Sequence, residues 1–449
     1  MINVTLFVVC VISLFPLQLA AQRTVPKSRQ VQQVYGDPYY ADALILPRQQ
    51  TDSSDVCVLL RFNKGARVFS KVNSFQENRG SYYSVIAMSI EARDAVGVVR
   101  QRLRYTDTVF VNSYENLTSE SSYHRGMVTL SLAAGDYTVS IEPIANKDNG
   151  FRKITLPKVV LPKASSKVRG TLSCLFAESL SQEHDTLRPI IFNGNMSFPA
   201  GRMAIVAAVP RSTATTYHVW IQQQPYLEGD IRWWSGVNIH STVRSTGTAL
   251  GLASPSVLTA IPSDEHRSML VIPIDAAEVV PGRYVVSLVA EDTRDTLKYG
   301  FNVEWESMPL SLRSLTYALD VLGYICPEET LDSLRDGDET LQRENLMAWW
   351  RKQDNTFGTA QNERMAEYYK RVDRASYEYA TLNEPDGVFT DRGKVYVLYG
   401  PPTRVDRKNN KSGEVTETWT YTNKVRTVFV FTVEQSGRHR LSTVQPLRK

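Results

Sequence analysis

The sequence predicts a mainly β chain closed by a C-terminal α+β unit: two tandem β-sandwich modules, then a helical segment packed on a small antiparallel sheet. Three observations predict it. Short apolar runs, rich in β-formers and divided by polar or Gly-containing turns, fill residues 56–163 and 167–306. A turn-and-strand pattern occurs once in each of those regions. Helical periodicity begins only near residue 309.

Composition sets the outer bounds. The chain has 449 residues, 42% of them hydrophobic, with 51 Lys+Arg against 47 Asp+Glu and 4 cysteines. Wholesale disorder, collagen-like repeats and a disulfide-rich scaffold are excluded, and the length suits about three domains. A net charge of +4 argues neither for nor against nucleic acid, which the export signal in residues 1–21 disfavours.

Residues 1–21 read as a secretory signal peptide. They carry no charged side chain, run almost wholly apolar from Val4 to Leu17, and end in Leu19-Ala20-Ala21. Pro16 and Gln18 interrupt the run too early for a membrane span, so cleavage near Ala21 is favoured over an uncleaved anchor. No later segment is expected to cross a membrane. Cleavage removes Cys10 and leaves Cys57, Cys174 and Cys326, which permit at most one disulfide. Small buried hydrophobes are the favoured reading for all three, with a Cys57–Cys174 pair left open.

Residues 22–55 form a polar, Gln-rich linker in this reading. The first module, 56–163, contains Val56-Cys57-Val58-Leu59-Leu60 and Tyr83 to Ile90; the second, 167–306, contains Ala204 to Val209 and Ser268 to Ile272. Gly135-Asp136-Tyr137-Thr138-Val139 in the first is echoed by Gly282-Arg283-Tyr284-Val285-Val286 in the second. Each has a turn Gly, a Tyr two residues on, alternating strand residues and then a further strand-like run. This looks like the closing hairpin of an immunoglobulin-like domain, with the Tyr read equally well as a corner residue or a plain strand aromatic.

Beyond Pro309, residues Leu312, Leu315, Leu319 and Leu322 recur at helical spacing up to Gly323. Pro327 opens a second helix, Asp336-Gly337-Asp338 ends it, and a third carries Leu341 through Trp350. A fourth, from about Thr359, places Met365, Tyr368, Val372, Ala375 and Tyr379 on one stripe. After Gly387 the pattern returns to strands at Lys394–Leu398, Glu417–Tyr421 and Val428–Val433, which completes an α+β unit over 309–449.

Within that unit a family resemblance emerges. Trp349-Trp350-Arg351-Lys352-Gln353-Asp354, Asn362-Glu363, Glu367 to Val372, and Gly387-Val388-Phe389-Thr390-Asp391-Arg392-Gly393-Lys394 followed by Val395-Tyr396-Val397-Leu398-Tyr399-Gly400-Pro401-Pro402 resemble the bacterial GWxTD domain family over about the last 140 residues. Val388 stands where the family has the Trp of its motif. The resemblance implies a secreted protein with β-rich modules ahead of this domain, and it carries no activity. The order of the last strands, with Trp419, is similar to that of small envelope-assembly lipoproteins.

Two functions follow as expectations. The favoured one is an exported bacterial envelope or cell-surface protein that binds or scaffolds without catalysis, with a role in envelope assembly. Its candidate binding residues are Gly387, Thr390, Asp391, Arg392, Gly393, Tyr396, Tyr399, Gly400, Pro401 and Trp419, and its partner a protein or polysaccharide. Thr390 to Gly393 read as a well-made turn leading into the Lys394 strand, since Asp and Thr oxygens accept from backbone N–H groups and Gly allows positive φ. The alternative is an envelope hydrolase or transferase using Asp391 with Glu363 or Glu367. No H-E-x-x-H, G-x-S-x-G or Walker loop occurs, the six histidines lack ligand spacing, and no cofactor or metal is implied. Residues 390–449 hold twelve Lys/Arg against five Asp/Glu, which suits an anionic surface or, more simply, a solvated loop near Arg407 to Lys411 and charged strand edges.

Overall fold

A strand already forms inside the stretch expected to be a polar linker. The computed structural model describes residues 39–47, 52–72, 80–113, 123–144, 153–156, 159–161, 170–171, 174–182, 184, 186–198, 201–209, 216–225, 238–244, 248–262, 268–275, 279–292, 294, 296–355, 360–409, 415–422 and 426–447. Within it β1 (Tyr39–Pro47) runs antiparallel to β2 (Ser53–Asn63), Tyr39 opposite Phe62 and Ile45 opposite Val56. β1 lies between the glutamines at 22–33 and those at 49–50 and is apolar on both faces apart from Asp42, so it lacks a clear alternating signal. The segment read as a signal peptide lies outside the described residues.

The first unit continues with β3 (Ser70–Lys71), β4 (Tyr82–Asp94), β5 (Val99–Val111), β6 (Tyr123–Ala133), β7 (Gly135–Pro143), β8 (Ile154–Thr155) and β9 (Val159–Leu161). One sheet has the order β1-β2-β6; the other runs β3-β4-β7-β8, with β5 on β4 and β9 on β7. Val58, Leu60 and Phe62 of the first meet Ile86, Ile90, Val139 and Ile141 of the second in one core.

The second unit holds β10 (Gly170–Thr171), β11 (Cys174–Ser179), β12 (Thr186–Pro189), β13 (Met196–Ser197), β14 (Met203–Val209), β15 (Thr216–Gln223), β16 (Asn238–Arg244), β17 (Thr248–Ser254), β18 (Val257–Pro262), β19 (Ser268–Ile274), β20 (Gly282–Ala290) and β21 (Thr296–Glu304). Its sheets are β10-β21-β20-β15-β16, with β13 on β21, and β17-β18-β12-β11-β14-β19. Phe176 and Ile205 face Val219, Val286 and Phe301 across the core.

The two repeated turns are structurally alike. Gly135 and Gly282 open β7 and β20 with φ of 156° and 154°, a backbone shape that L side chains rarely adopt. Each strand then pairs antiparallel with the next run, β8 or β21. The tyrosines differ: Tyr284 Oη donates to Val280 O at 2.8 Å and ties the strand to the turn before it, whereas Tyr137 is buried in the first core.

The sheet β1-β2-β6 is covered on both faces. Its second face presents Tyr40, Leu44, Cys57 and Leu59 to Leu175, Leu187, Val206 and Leu258 of the second unit. Hence β2 carries the continuous apolar run Val56 to Leu60, as a strand buried on both sides requires. Polar bonds cross the same joint. Arg61 reaches Glu306 with two contacts of 3.0 and 3.2 Å while lying over the Tyr40 and Tyr123 rings, and Tyr40 Oη donates to Glu306 at 3.0 Å. Asp42 is buried and accepts from the Phe192 amide at 2.5 Å and from the Gly194 amide. Burial pushes its carboxyl up to about 7, against the opposing pull of those amides and of Arg61. Cys57 and Cys174 are buried free thiols and do not pair.

Past β21 a short 3-10 turn (Leu310–Arg313) leads to α1 (Leu315–Leu322), which stops at Gly323, and α2 (Glu328–Arg335) follows Pro327. Asp338 caps α3 (Glu339–Lys352) by accepting from the Leu341 amide; Asn362 caps α4 (Glu363–Glu378) by accepting from Met365. Met365, Tyr368, Val372 and Ala375 are buried, as their spacing predicts. Then come α5 (Asp391–Tyr399) and an antiparallel sheet, β22 (Arg404–Asn409), β23 (Val415–Tyr421), β24 (Thr427–Val433) and β25 (His439–Pro446), in that order.

Two expectations need correcting here. Lys394–Leu398 is helix, not strand: the Thr390 cap and the close seat of Gly393 override the β propensity of Val395-Tyr396-Val397. The sheet therefore has four strands, and Arg407 and Lys408 belong to its edge strand β22 rather than to a loop, which gives that edge a charged guard. Residues 410–414 lie outside the described residues. No break in packing marks residue 309: Trp305 meets Phe198 edge-on at 5.6 Å, and Leu312, Leu315 and Leu319 join the same apolar cluster as Phe301 and Val303. No described helix is long and apolar enough to cross a membrane.

Candidate functional site

The motif residues gather where α4, α5 and β25 meet. Gly387 lies in a short 3-10 turn (Gly387–Phe389), capped by Asp386, whose carboxylate accepts from the Val388 amide at 3.1 Å. A Cβ on Gly387 would collide with the Ala375 carbonyl and the Ala380 amide at the end of α4, so only glycine fits. Thr390 is buried and works in both directions: its hydroxyl donates to Gly387 O at 2.7 Å and accepts from the Gly393 amide at 3.0 Å, capping α5. Gly393 is pressed against the Gly387 carbonyl, leaving no room for a side chain.

Asp391 opens α5, where a carboxylate suits the helix dipole. Its Oδ2 accepts from the Leu441 amide at 2.7 Å, which ties β25 to the helix start. Glu363 and Glu367 are exposed on α4, and Glu367 is paired with Arg371 at 2.7 Å. Among the described residues no hydrogen bond or ion pair joins either to Asp391.

Arg392 leads to a feature that sequence reading missed. Its guanidinium lies 3.5 Å from Glu417 Oε1 and over the Tyr379 ring at 5.2 Å, while its Nε is buried without a hydrogen-bond partner. Glu417, buried on β23, also accepts from Trp419 Nε1 at 2.9 Å and faces Arg407 at 3.7 Å and His439 Nε2 at 3.6 Å. His439 is held below the ordinary imidazole range, chiefly by burial and next by Arg392. The node therefore gathers an imidazole, two guanidiniums and one carboxyl group, and it joins β22, β23, β25 and α5. A signal for Glu417 was present: it shares the period-2 face of Trp419 and Tyr421, both of which are buried.

The aromatic candidates divide. Trp419 and Tyr396 are buried, Trp419 between the Tyr379 and Phe431 rings at 5.3 and 5.1 Å. Burial raises the Tyr396 phenol above its usual range. Tyr399 is 38% exposed against Phe429 at the far end of α5, with Pro401 exposed beside it. Gly400 has φ 79°, and its carbonyl accepts from Tyr421 Oη at 2.8 Å. The helix thus separates Thr390 and Asp391 from Tyr399 and Pro401 by about 12 Å, eight residue steps of helix rise. Val388, at the position of the motif Trp, is fully buried, and exposed Phe389 leaves that position to it.

Among the described residues no cluster of three or more His, Cys, Asp or Glu is arranged to hold a metal ion. The model of the GWxTD domain matches residues 282–441 and so takes in the last hairpin of the second unit together with the helices and the final sheet. No curated protein matches the chain.

Proposed function

From a chain whose C-terminal region is a GWxTD domain, we propose an exported bacterial envelope or cell-surface protein that binds and scaffolds without catalysis, in envelope assembly. In this reading the two β units are immunoglobulin-like modules, a comparison supported by the Tyr284 corner bond and by paired sheets around one core. The apolar segment before Gln22 supplies the export signal.

The observation that carries the reading is the internal use of the motif. Thr390, Asp391 and Arg392 bond to Gly393, Leu441 and Glu417, so the motif secures architecture and leaves partner contact to the surfaces it holds in place. Joints built from shared apolar packing and polar ties suit a scaffold whose faces must keep a fixed relation. Cross-linking in intact cells, compared between wild type and a folded Asp391→Ala, Arg392→Ala double variant, tests it. We expect the same envelope partner with both proteins and no turnover of cell-wall glycan or peptide. Turnover by purified wild type that disappears in Asp391→Asn would sink the reading and favour the hydrolase or transferase.

A further inference from the structure

The outward face of the sheet β16-β15-β20-β21 combines rings, amides and cations in a way the motif region does not. At its centre Trp220 on β15 stands beside His240 on β16 and opposite Ser287 on β20. His218 lies two residues earlier on the same face. The three rings form a close cluster, with Trp220 4.9 Å from His240 and 5.8 Å from His218, and the two imidazoles 6.2 Å apart. Neighbouring outward positions carry Gln222, Asn238 and Thr242, groups that both donate and accept hydrogen bonds as sugar hydroxyls do.

Charge on the β15, β16 and β20 part of this face is positive. Arg244 ends β16 and Lys298 stands on β21 opposite Ser287, both exposed. Among the described residues, the outward positions of β15, β16 and β20 hold no carboxylate. In β21 the one acid, Glu304, sits at the strand end beside the amides of Asn195 and Asn302, at 3.4 and 3.5 Å. The row from Thr216 to Gln222 spans about 20 Å, and the four strands about 14 Å, which suits a short stretch of polymer lying flat.

We propose that this face binds an anionic, uronate-bearing polysaccharide. The carboxylates meet Arg244 and Lys298, the sugar hydroxyls meet Gln222, Asn238 and Thr242, and the Trp220 cluster packs against the sugar C–H groups. A single-stranded nucleic acid is a poorer match, because successive bases call for a series of separate rings along a groove. The inference rests on the reading of the chain as an exported binding protein.

The test uses the full chain without its first 21 residues, with polygalacturonate as probe, neutral dextran as control and dextran sulfate to register charge alone. Affinity electrophoresis should show retardation by polygalacturonate and none by dextran. Trp220→Ala should weaken polygalacturonate binding about ten-fold. The exposed pair Arg244→Ala, Lys298→Ala, which leaves the core untouched, should weaken it by at least as much. Absence of polygalacturonate binding, binding that ignores both variants, equal retardation by dextran sulfate that ignores Trp220→Ala, or tighter binding of single-stranded DNA would each overturn it. If cross-linking still captures the envelope partner, such a failure removes this face alone and leaves the scaffold.

Discussion

The joint between the two β units and the joint between the second unit and the helices solve the same problem by different means. At the first, two finished sheets meet face to face, with a thin apolar layer crossed by charged and polar ties: Arg61 to Glu306, Tyr40 to Glu306, Asp42 to two amides. At the second there is no meeting of finished surfaces, because Phe301, Trp305, Leu312 and Leu319 belong to one cluster that extends from the core of the second β unit to Phe431. The first is therefore a contact whose parts keep separate cores, whereas the second makes the helices part of the β unit's own interior. It also accounts for the family match starting at residue 282 rather than near 309.

Trp305 offers the hardest test of that contrast. Trp305→Ala should cost about 3–5 kcal/mol. The loss should lower hydrogen-exchange protection in β20 and α4 together while sparing β4. Separate responses of β20 and α4 would show that the core is divided after all. At the other joint, Arg61→Ala should cost about 3 kcal/mol, since the Glu306 carboxylate loses its cation and keeps the Tyr40 hydroxyl. Combining it with Glu306→Leu should recover much of that cost, as read from urea midpoints.

The smallest expected effect sharpens the comparison through pH. The folded Asp42 carboxyl keeps its proton up to about 7, while an unfolded Asp releases it near about 4. Its contribution is therefore fully present below about pH 4 and is lost as pH rises through about 7. Wild type should lose about 2–3 kcal/mol of stability between about pH 5 and pH 8, and Asp42→Asn should flatten that slope. Denaturant midpoints at the two pH values measure it; equal slopes in both proteins would mean that Asp42 is ionised throughout.

Much of this was legible in the sequence where local pattern and final environment agree. The α4 stripe reads correctly because Met365, Tyr368, Val372 and Ala375 face one core. The paired turns read correctly because Gly135 and Gly282 need their φ regardless of what surrounds them. Reading failed where distant backbone decides. Val395-Tyr396-Val397 has strand propensity, and only the packing of Gly393 against Gly387 and the Thr390 cap make it helix. Asp42 sits inside an apolar run, and the amides that hold it are 150 and 152 residues further along the chain, at Phe192 and Gly194. Of the motif residues, the sequence suggested a local structural turn; it did not suggest that Asp391 reaches Leu441 or that Arg392 reaches Glu417.

The double burial of β2 has a consequence for how the chain comes into being. Made from its N-terminus, the polypeptide completes β1, β2 and β6 well before β11 and β14 exist. During that interval Tyr40, Leu44, Cys57 and Leu59 have no lid, and an uncovered apolar sheet face invites self-association. The first unit released alone by truncation after residue 161 should aggregate, and a holdase that shields hydrophobic strands should serve it during biosynthesis until the second unit arrives.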